Sequence, residues 1–318
     1  MSNGRKIVKQ LDHLIVRVDD PQPLFKLLSE TLKLPIAWPL RSYPSFMSGG
    51  VTLGNLYLEI LSCAPPRASS SGNSTAARFA AIAFEADSLD ESVHELERRK
   101  IPHGPVTQYV EIEADGSETK LYANVILGKL LGSSFWIDTM ILMGRLPGAS
   151  AMAKPGKGGA LVRWGIGKVM SGNLVFLVEY SYGSFTNLPH WSEFRNHDEK
   201  RAADRASLEA QAGGALGVES VKEIVAGVKD VEEVNRRWGS FLAPGAASAS
   251  NLWEIADGPA VRLVSANENA IKTLVLKVSS LERAESFLAE REMVGSRVEN
   301  QLTIAPEKIY GLNVRLVG

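Results

Sequence analysis

Cysteine is almost absent from this chain: Cys63 is the only one in 318 residues. An intramolecular disulfide and a cysteine-built zinc site are therefore excluded, and the usage fits a reducing compartment. Neither sign of charge is in excess. Lys and Arg number 35 against 36 Asp and Glu, so nothing in the balance favours nucleic acid or an anionic membrane as a partner. Histidine is scarce, five residues in all, and His197 is the last of them. A long apolar run is missing too. The most apolar stretch, residues 124–144 (NVILGKLLGSSFWIDTMILMG), is interrupted by Lys129, by Asp138 and by Gly-Ser-Ser. It reads as buried strands or a pocket lid rather than a membrane span. The first residues, MSNGRKIVKQLDH, lack the apolar core of a signal peptide. The expectation is a cytoplasmic protein with no nucleic-acid or membrane partner, long enough for two domains.

What is present is a unit that repeats. Residues 11–18 alternate, with Leu14, Val16 and Val18 on one face and Leu11, His13, Ile15 and Arg17 on the other. Residues 21–33 form a helix that opens on Pro21 and carries Leu24, Leu27, Leu28 and Leu32 as an apolar stripe. That helix should cover the Leu14 face and leave His13 on the open, concave side. A Gly/Pro-rich stretch follows, with Trp38, Tyr43 and Phe46 beside the concave side. Residues 56–62 alternate again and put Glu59 on the same side as His13. The order restarts after the Pro/Ser-rich residues 63–76. Strand 78–86 precedes a helix over 88–100, where Ser88 and Glu91 form a capping box. A flexible Lys/Gly insertion, residues 150–159, and a strand over 160–168 come before strand 173–180. There Val175, Leu177 and Glu179 share one face, while Leu174, Phe176, Val178 and Tyr180 share the other. Residues 195–211, charged and alanine-rich, read as an exposed connecting helix. Two compact copies of about 50 residues each close the chain, as expected of a repeated supersecondary unit. The expected domains are residues 5–185 and 216–318, joined by 186–215.

This strand-helix-strand-strand-strand order resembles the vicinal oxygen chelate superfamily. Its members include lactoylglutathione lyase, fosfomycin-resistance enzymes, bleomycin-resistance proteins and type I extradiol dioxygenases. The resemblance implies an α+β fold of paired βαβββ modules forming cupped mixed sheets, two such domains in all. It also implies a divalent metal held by the first and last strands of each module. Carried onto this chain, the first-module ligands are His13 and Glu59. The second-module positions fall on Ala81, which cannot bind metal, and on Glu179. The later modules offer Lys222, Arg262, residues 272–274 and Arg315, none of them a plausible ligand, so the C-terminal pair is expected to be metal-free.

One imidazole and two carboxylates suit Fe, Mn, Ni or Zn as divalent ions. Such an ion acts as a Lewis acid on a chelated substrate or in dioxygen chemistry. Two functional readings follow. One is a metal-dependent enzyme of the glyoxalase or dioxygenase type, acting on a small molecule with neighbouring oxygens. The other is a metal-free binding protein of the bleomycin-resistance type. Arg17, Trp38, Tyr43, Phe46 and Trp136 are the candidate substrate contacts, an aromatic lining that favours an apolar or aromatic ligand. Several bland alternatives stay open. Glu179 pairs with an arginine such as Arg163; Arg17 bridges to Glu85 across the modules; Tyr180 packs in the core on the covered face, the other reading being that Tyr180 and Tyr182 donate hydrogen bonds to a bound oxyanion. His94 is a surface residue of the second helix, and His190 and His197, in the connecting segment, either reach the cavity mouth or are simply exposed. The glycines near Lys168 lack phosphate-loop spacing. The modules pair within one chain, or swap in a homodimer.

Overall fold

The computed structural model describes residues 5–43, 46–63, 76–112, 116, 118–145, 173–182, 189–244 and 251–318. The first module runs β1 (Gln10–Arg17), α1 (Pro21–Lys26) continued by a π-helical turn (Leu27–Thr31), β2 (Ile36–Ser42), β3 (Met47–Thr52) and β4 (Tyr57–Ser62). Asp20 caps α1 by accepting from the Gln22 amide at 3.1 Å, and Pro21 occupies a first-turn position where its missing N–H costs nothing. The second module runs β5 (Arg78–Glu85), α2 (Leu89–Arg98), β6 (Thr107–Ile112), β7 (Glu118–Leu127), α3 (Phe135–Gly144) and β8 (Leu174–Tyr180). Ser88 caps α2 through the Glu91 amide, as its capping box predicts. A short α4 (Pro189–Ser192) and a longer α5 (His197–Ala210) lead to the third module: β9 (Val218–Val228), α6 (Val231–Leu242), β10 (Leu252–Trp253) and β11 (Ala260–Ser265). The fourth comprises β12 (Ala270–Val278), α7 (Leu281–Ala289), β13 (Val294–Val298), β14 (Gln301–Ile304) and β15 (Val314–Val317). The Arg163 alternative and the insertion at 150–159 lie outside the described residues.

The strands make two mixed sheets, in the order β2-β3-β4-β1-β5-β8-β7-β6 and β10-β11-β9-β12-β15-β14-β13. In each sheet the first strands of two modules meet antiparallel, β1 on β5 and β9 on β12, while each first strand lies parallel to its own module's last. This is the α+β, two-sheet arrangement that the repeat implies. One face of both sheets and the apolar stripes of α1, α2, α6 and α7 merge into a single buried cluster. Phe84 of β5 meets Trp238 and Phe241 of α6 edge-on, at 6.0 and 5.4 Å between ring centres. No helix among the described residues is long and apolar enough to cross a membrane. The apolar stretch 124–144 instead divides into the end of β7 and α3.

One irregularity of β1 decides what faces the open side of the first sheet. Leu11 pairs with Phe84 and His13 with Ala83, so Asp12 is an extra residue, a β-bulge. Strict alternation puts Leu11 beside His13. The bulge instead returns Leu11 to the buried cluster with Leu14 and Val16 and delivers Asp12 next to His13. The open side is concave and partly filled. Ile137 and Ile141 of α3 pack there on Ile15, Leu61, Ala80, Ala81 and Leu174.

Candidate functional site

His13 and Glu59 come together, with His13 Nε2 and Glu59 Oε2 3.3 Å apart. Each is anchored from behind. His13 Nδ1 donates to Asp12 Oδ2 at 2.6 Å. Glu59 Oε1 accepts from the Ser48 hydroxyl at 2.6 Å, and Ser48 in turn accepts from the Trp38 indole at 3.2 Å. Trp38 can lie there because its cross-strand partner is Gly50; a Cβ on Gly50 would sit 2.5 Å from the indole ring.

Asp12 is the hub of the cluster and is fully buried. Besides His13 it accepts from Tyr180 Oη at 2.7 Å, His197 Nε2 at 2.7 Å and Arg201 Nη1 at 3.1 Å. His197 donates from Nε2 to Asp12, and its Nδ1 meets the Tyr182 hydroxyl. Burial alone would push the Asp12 carboxyl up. The His197 charge and the bonds from His13 and His197 outweigh it and hold Asp12 well below the ordinary carboxylate range. Burial likewise opposes the His13 imidazolium, but the Asp12 bond, then the charges of Asp12 and Glu59, raise His13 above its ordinary value.

His197 and Arg201 come from α5, so this helix is no exposed connector. His197, Lys200, Arg201 and Leu208 are buried, and Lys200 Nζ bonds Asp204 at 2.5 Å. Burial drives the Lys200 pKa down against the pull of Asp204. The signal in the sequence was a polar stripe at helical spacing, 197, 200, 201 and 204, which high charge and alanine content disguised as solvent-exposed.

Asp12, Glu85 and His197 also form a buried trio whose potential ligand atoms all lie within 4.8 Å of one another. Its charges already have partners: Arg201 shares the Asp12 oxygen that His197 uses, and Lys9 Nζ lies 3.2 Å from Glu85. A cation entering the trio would meet Arg201 directly.

Glu179 does not join His13 and Glu59. The alternation of β8 is as expected, but the sides are exchanged: Val175 and Leu177 join the buried cluster under α2, while Phe176 meets the His13 ring edge-on at 5.5 Å. Glu179 thus points to the helix side, where its carboxylate accepts from the Leu89 amide at 3.0 Å. An anion at a helix N-terminus is stabilising, so Glu179→Gln is expected to cost about 0.5–1 kcal/mol in thermal unfolding and to leave ion uptake unchanged. Tyr180 correspondingly belongs to the site rather than to the covered face. The register identifies the true counterpart of Glu59. His13 pairs with Tyr57 and Ala81 with Leu174; two residues further along each last strand stand Glu59 and Phe176. The four positions therefore hold His13, Glu59, Ala81 and Phe176.

Arg17 and Glu85 do not meet, because antiparallel pairing sends equivalent ends of β1 and β5 apart. Arg17 is opposite Arg78, and Glu85 is opposite Gln10. Trp136 packs with the α3 side of the cup, together with Phe46. Tyr43 stacks on Phe46 at 4.7 Å.

No family model matches the chain, and no curated protein matches it by sequence. Solved structures do. Over 96% of this chain and 98% of the other, a hypothetical protein from Staphylococcus aureus superposes with a TM-score of 0.53 at 10% identity. Homoprotocatechuate 2,3-dioxygenase from Brevibacterium fuscum, in complex with 3,4-dihydroxyphenylacetate, superposes over 100% of this chain and 82% of its own at 0.53 and 8% identity. The Arthrobacter globiformis enzyme of the same name gives 0.53 over 100% and 81%, at 11% identity. At such identities the likeness is one of fold.

Proposed function

We propose that the chain is a divalent-ion-dependent protein of the vicinal oxygen chelate type that acts on a small, oxygen-bearing molecule in the aromatic cup. One observation carries this reading: the free atoms of His13 and Glu59 face each other at 3.3 Å, while their other atoms are anchored by Asp12 and Ser48. Two donors about 2.1 Å from one ion stand roughly 3.0–3.4 Å apart, so the spacing suits a shared ion. A carboxylate behind the imidazole is the partner that metal-bound histidines use to fix their tautomer.

The fit covers half of a ligand set. His13 and Glu59 would hold the ion, whereas Ala81 and Phe176 offer it nothing. When bound, the ion would supply Lewis-acid polarisation to an oxygen of the ligand. The chain's own groups do the rest. Asp12 keeps the His13 proton on Nδ1, so that Nε2 presents its lone pair. Ser48 keeps Glu59 turned inward. The half-buried rings of Trp38, Phe46 and Phe176 give the cup its apolar walls. The apolar second half favours one competing reading, a metal-free container for an aromatic ligand.

Calorimetric titration with Mn²⁺ and Zn²⁺ separates the two. One site in the wild-type chain, weakened at least tenfold in both His13→Ala and Glu59→Gln, is the expected result. Uptake also strengthens as pH rises, because the ion displaces a proton from His13. A wild-type chain that takes up neither ion leaves the container reading standing alone.

A further inference from the structure

α3 is apolar on two sides. Its inner side seats Ile137 and Ile141 in the cup. Its outer side carries Phe135, Leu142 and Met143, which are 72%, 67% and 57% exposed. Phe135, Thr139 and Leu142 recur at four and three residues, the spacing of one helix face. Val106 adjoins them, because Gly144 packs on Pro105, where a Cβ would sit 2.8 Å from the proline ring. Six large hydrophobic residues are exposed among the described residues, and four of them are these. Single scattered exposures are ordinary, but a cluster marks an interaction site. A helix apolar all round is normally covered on every side.

The charges at its edge say what covers it. Asp138 and Arg145 are the charged residues within 135–145. They stand seven residues apart, about two turns, so both line one edge of the exposed face. Arg145 is steadied by the bond from its Nε to the His103 carbonyl, 3.1 Å, and among the described residues neither charge has an ion-pair partner. One charge of each sign gives the face no net charge, hence no pull towards an acidic or basic partner or an anionic membrane. It does make the face self-complementary. When two copies of α3 pack antiparallel about a two-fold axis, the same patch serves both sides. Each edge then meets its own copy running the other way. Asp138 lies towards the partner's Arg145, and helix ends of opposite dipole sign adjoin. Parallel packing would set like charge against like.

We propose that α3 is a homodimerisation surface, pairing antiparallel with α3 of a second copy through Phe135, Leu142 and Met143, with Asp138 and Arg145 bridging the copies at the edge. Three side chains cover less than the ~800 Å² per partner of a standard interface. The dimer is therefore a weak one, with a Kd of about 1–100 μM. The inner side of the same helix walls the cup, so pairing braces that wall from outside.

Sedimentation velocity on the full-length chain, from about 1 to 200 μM, reads this equilibrium. The wild-type chain is expected to pass from monomer to dimer over that range. Leu142→Glu should weaken association at least tenfold and, because the position is exposed, leave the melting temperature unchanged. Asp138→Lys and Arg145→Glu should each weaken it about fivefold to thirtyfold, since the two-fold repeats every pair. The double variant, with both charges reversed, should recover most of the wild-type affinity. A dimer indifferent to Leu142→Glu would overturn the proposal, because another face would then be in use. A double variant weaker than either single would overturn the antiparallel pairing. A chain that stays monomeric throughout would overturn it as well; if that monomer floats with phosphatidylcholine vesicles, the face is a lipid surface instead.

Discussion

Asp12→Ala should cost about 3–5 kcal/mol of unfolding free energy, the price of breaking a buried ion pair from one side. The carboxylate is fully buried and takes hydrogen bonds from His13, Tyr180, His197 and Arg201. Its removal leaves the Arg201 charge, itself almost wholly buried, with the Leu11 and Asn55 carbonyls as its acceptors among the described residues and the Tyr57 ring beneath it. Urea unfolding at pH 7 measures the loss, and a change below about 1 kcal/mol contradicts the hub. Asp12→Asn keeps the shape but cannot satisfy four donors, so it should fall between wild type and alanine.

The pH dependence of that stability has a definite sign. The Asp12 pKa is depressed in the folded chain. Its contribution is therefore complete above the ordinary carboxylate value near 3.8 and is lost as pH falls through the depressed folded value. His13 runs the other way. Its folded pKa is raised, so its share is complete below the ordinary value of 6.5 and fades as pH climbs through the folded one. The difference between wild type and Asp12→Asn should consequently shrink below about pH 4. A difference that holds constant down to pH 2 would mean the depression is not there.

The second large effect concerns the joint between the two sheets. Trp238 is completely buried. Its ring meets Phe84 of the first sheet at 6.0 Å and Trp253 of the second at 6.4 Å, and its indole donates to the Leu130 carbonyl at 2.6 Å. Trp238→Ala is expected to destabilise by about 3–5 kcal/mol, from lost transfer energy and the cavity left behind. Trp238→Phe should recover most of this, short of about 1 kcal/mol for the hydrogen bond. Because one apolar cluster runs through both sheets, unfolding should stay a single transition in each variant. Two resolved transitions in wild type would show the sheets to be energetically separate.

The repeated unit was legible residue by residue. Apolar alternation in 14–18 and 82–84, the proline start of α1 and the capping box at Ser88 act over a few neighbours, and each element formed where these cues put it. His13 and Glu59 were legible for the same reason. Both sit mid-strand, on alternation that survives folding, and parallel pairing of β1 with β4 brings them together.

Asp12, Glu179 and α5 were beyond that reach. A bulge depends on how a partner strand is registered, and one extra residue inverts the sides of everything before it. For β8 the period of two was correct, but period alone does not say which face a helix will cover; the packing of α2 on Val175 and Leu177 did that. His197 and Arg201 reach Asp12 across 185 and 189 residues of chain, a separation that no local pattern encodes. Local propensity and alternation thus determined the modules and one facing pair of donors. Only the tertiary structure decided which charges share a buried carboxylate, because that choice is made by long-range packing and by the cost of leaving any of them unpaired away from water.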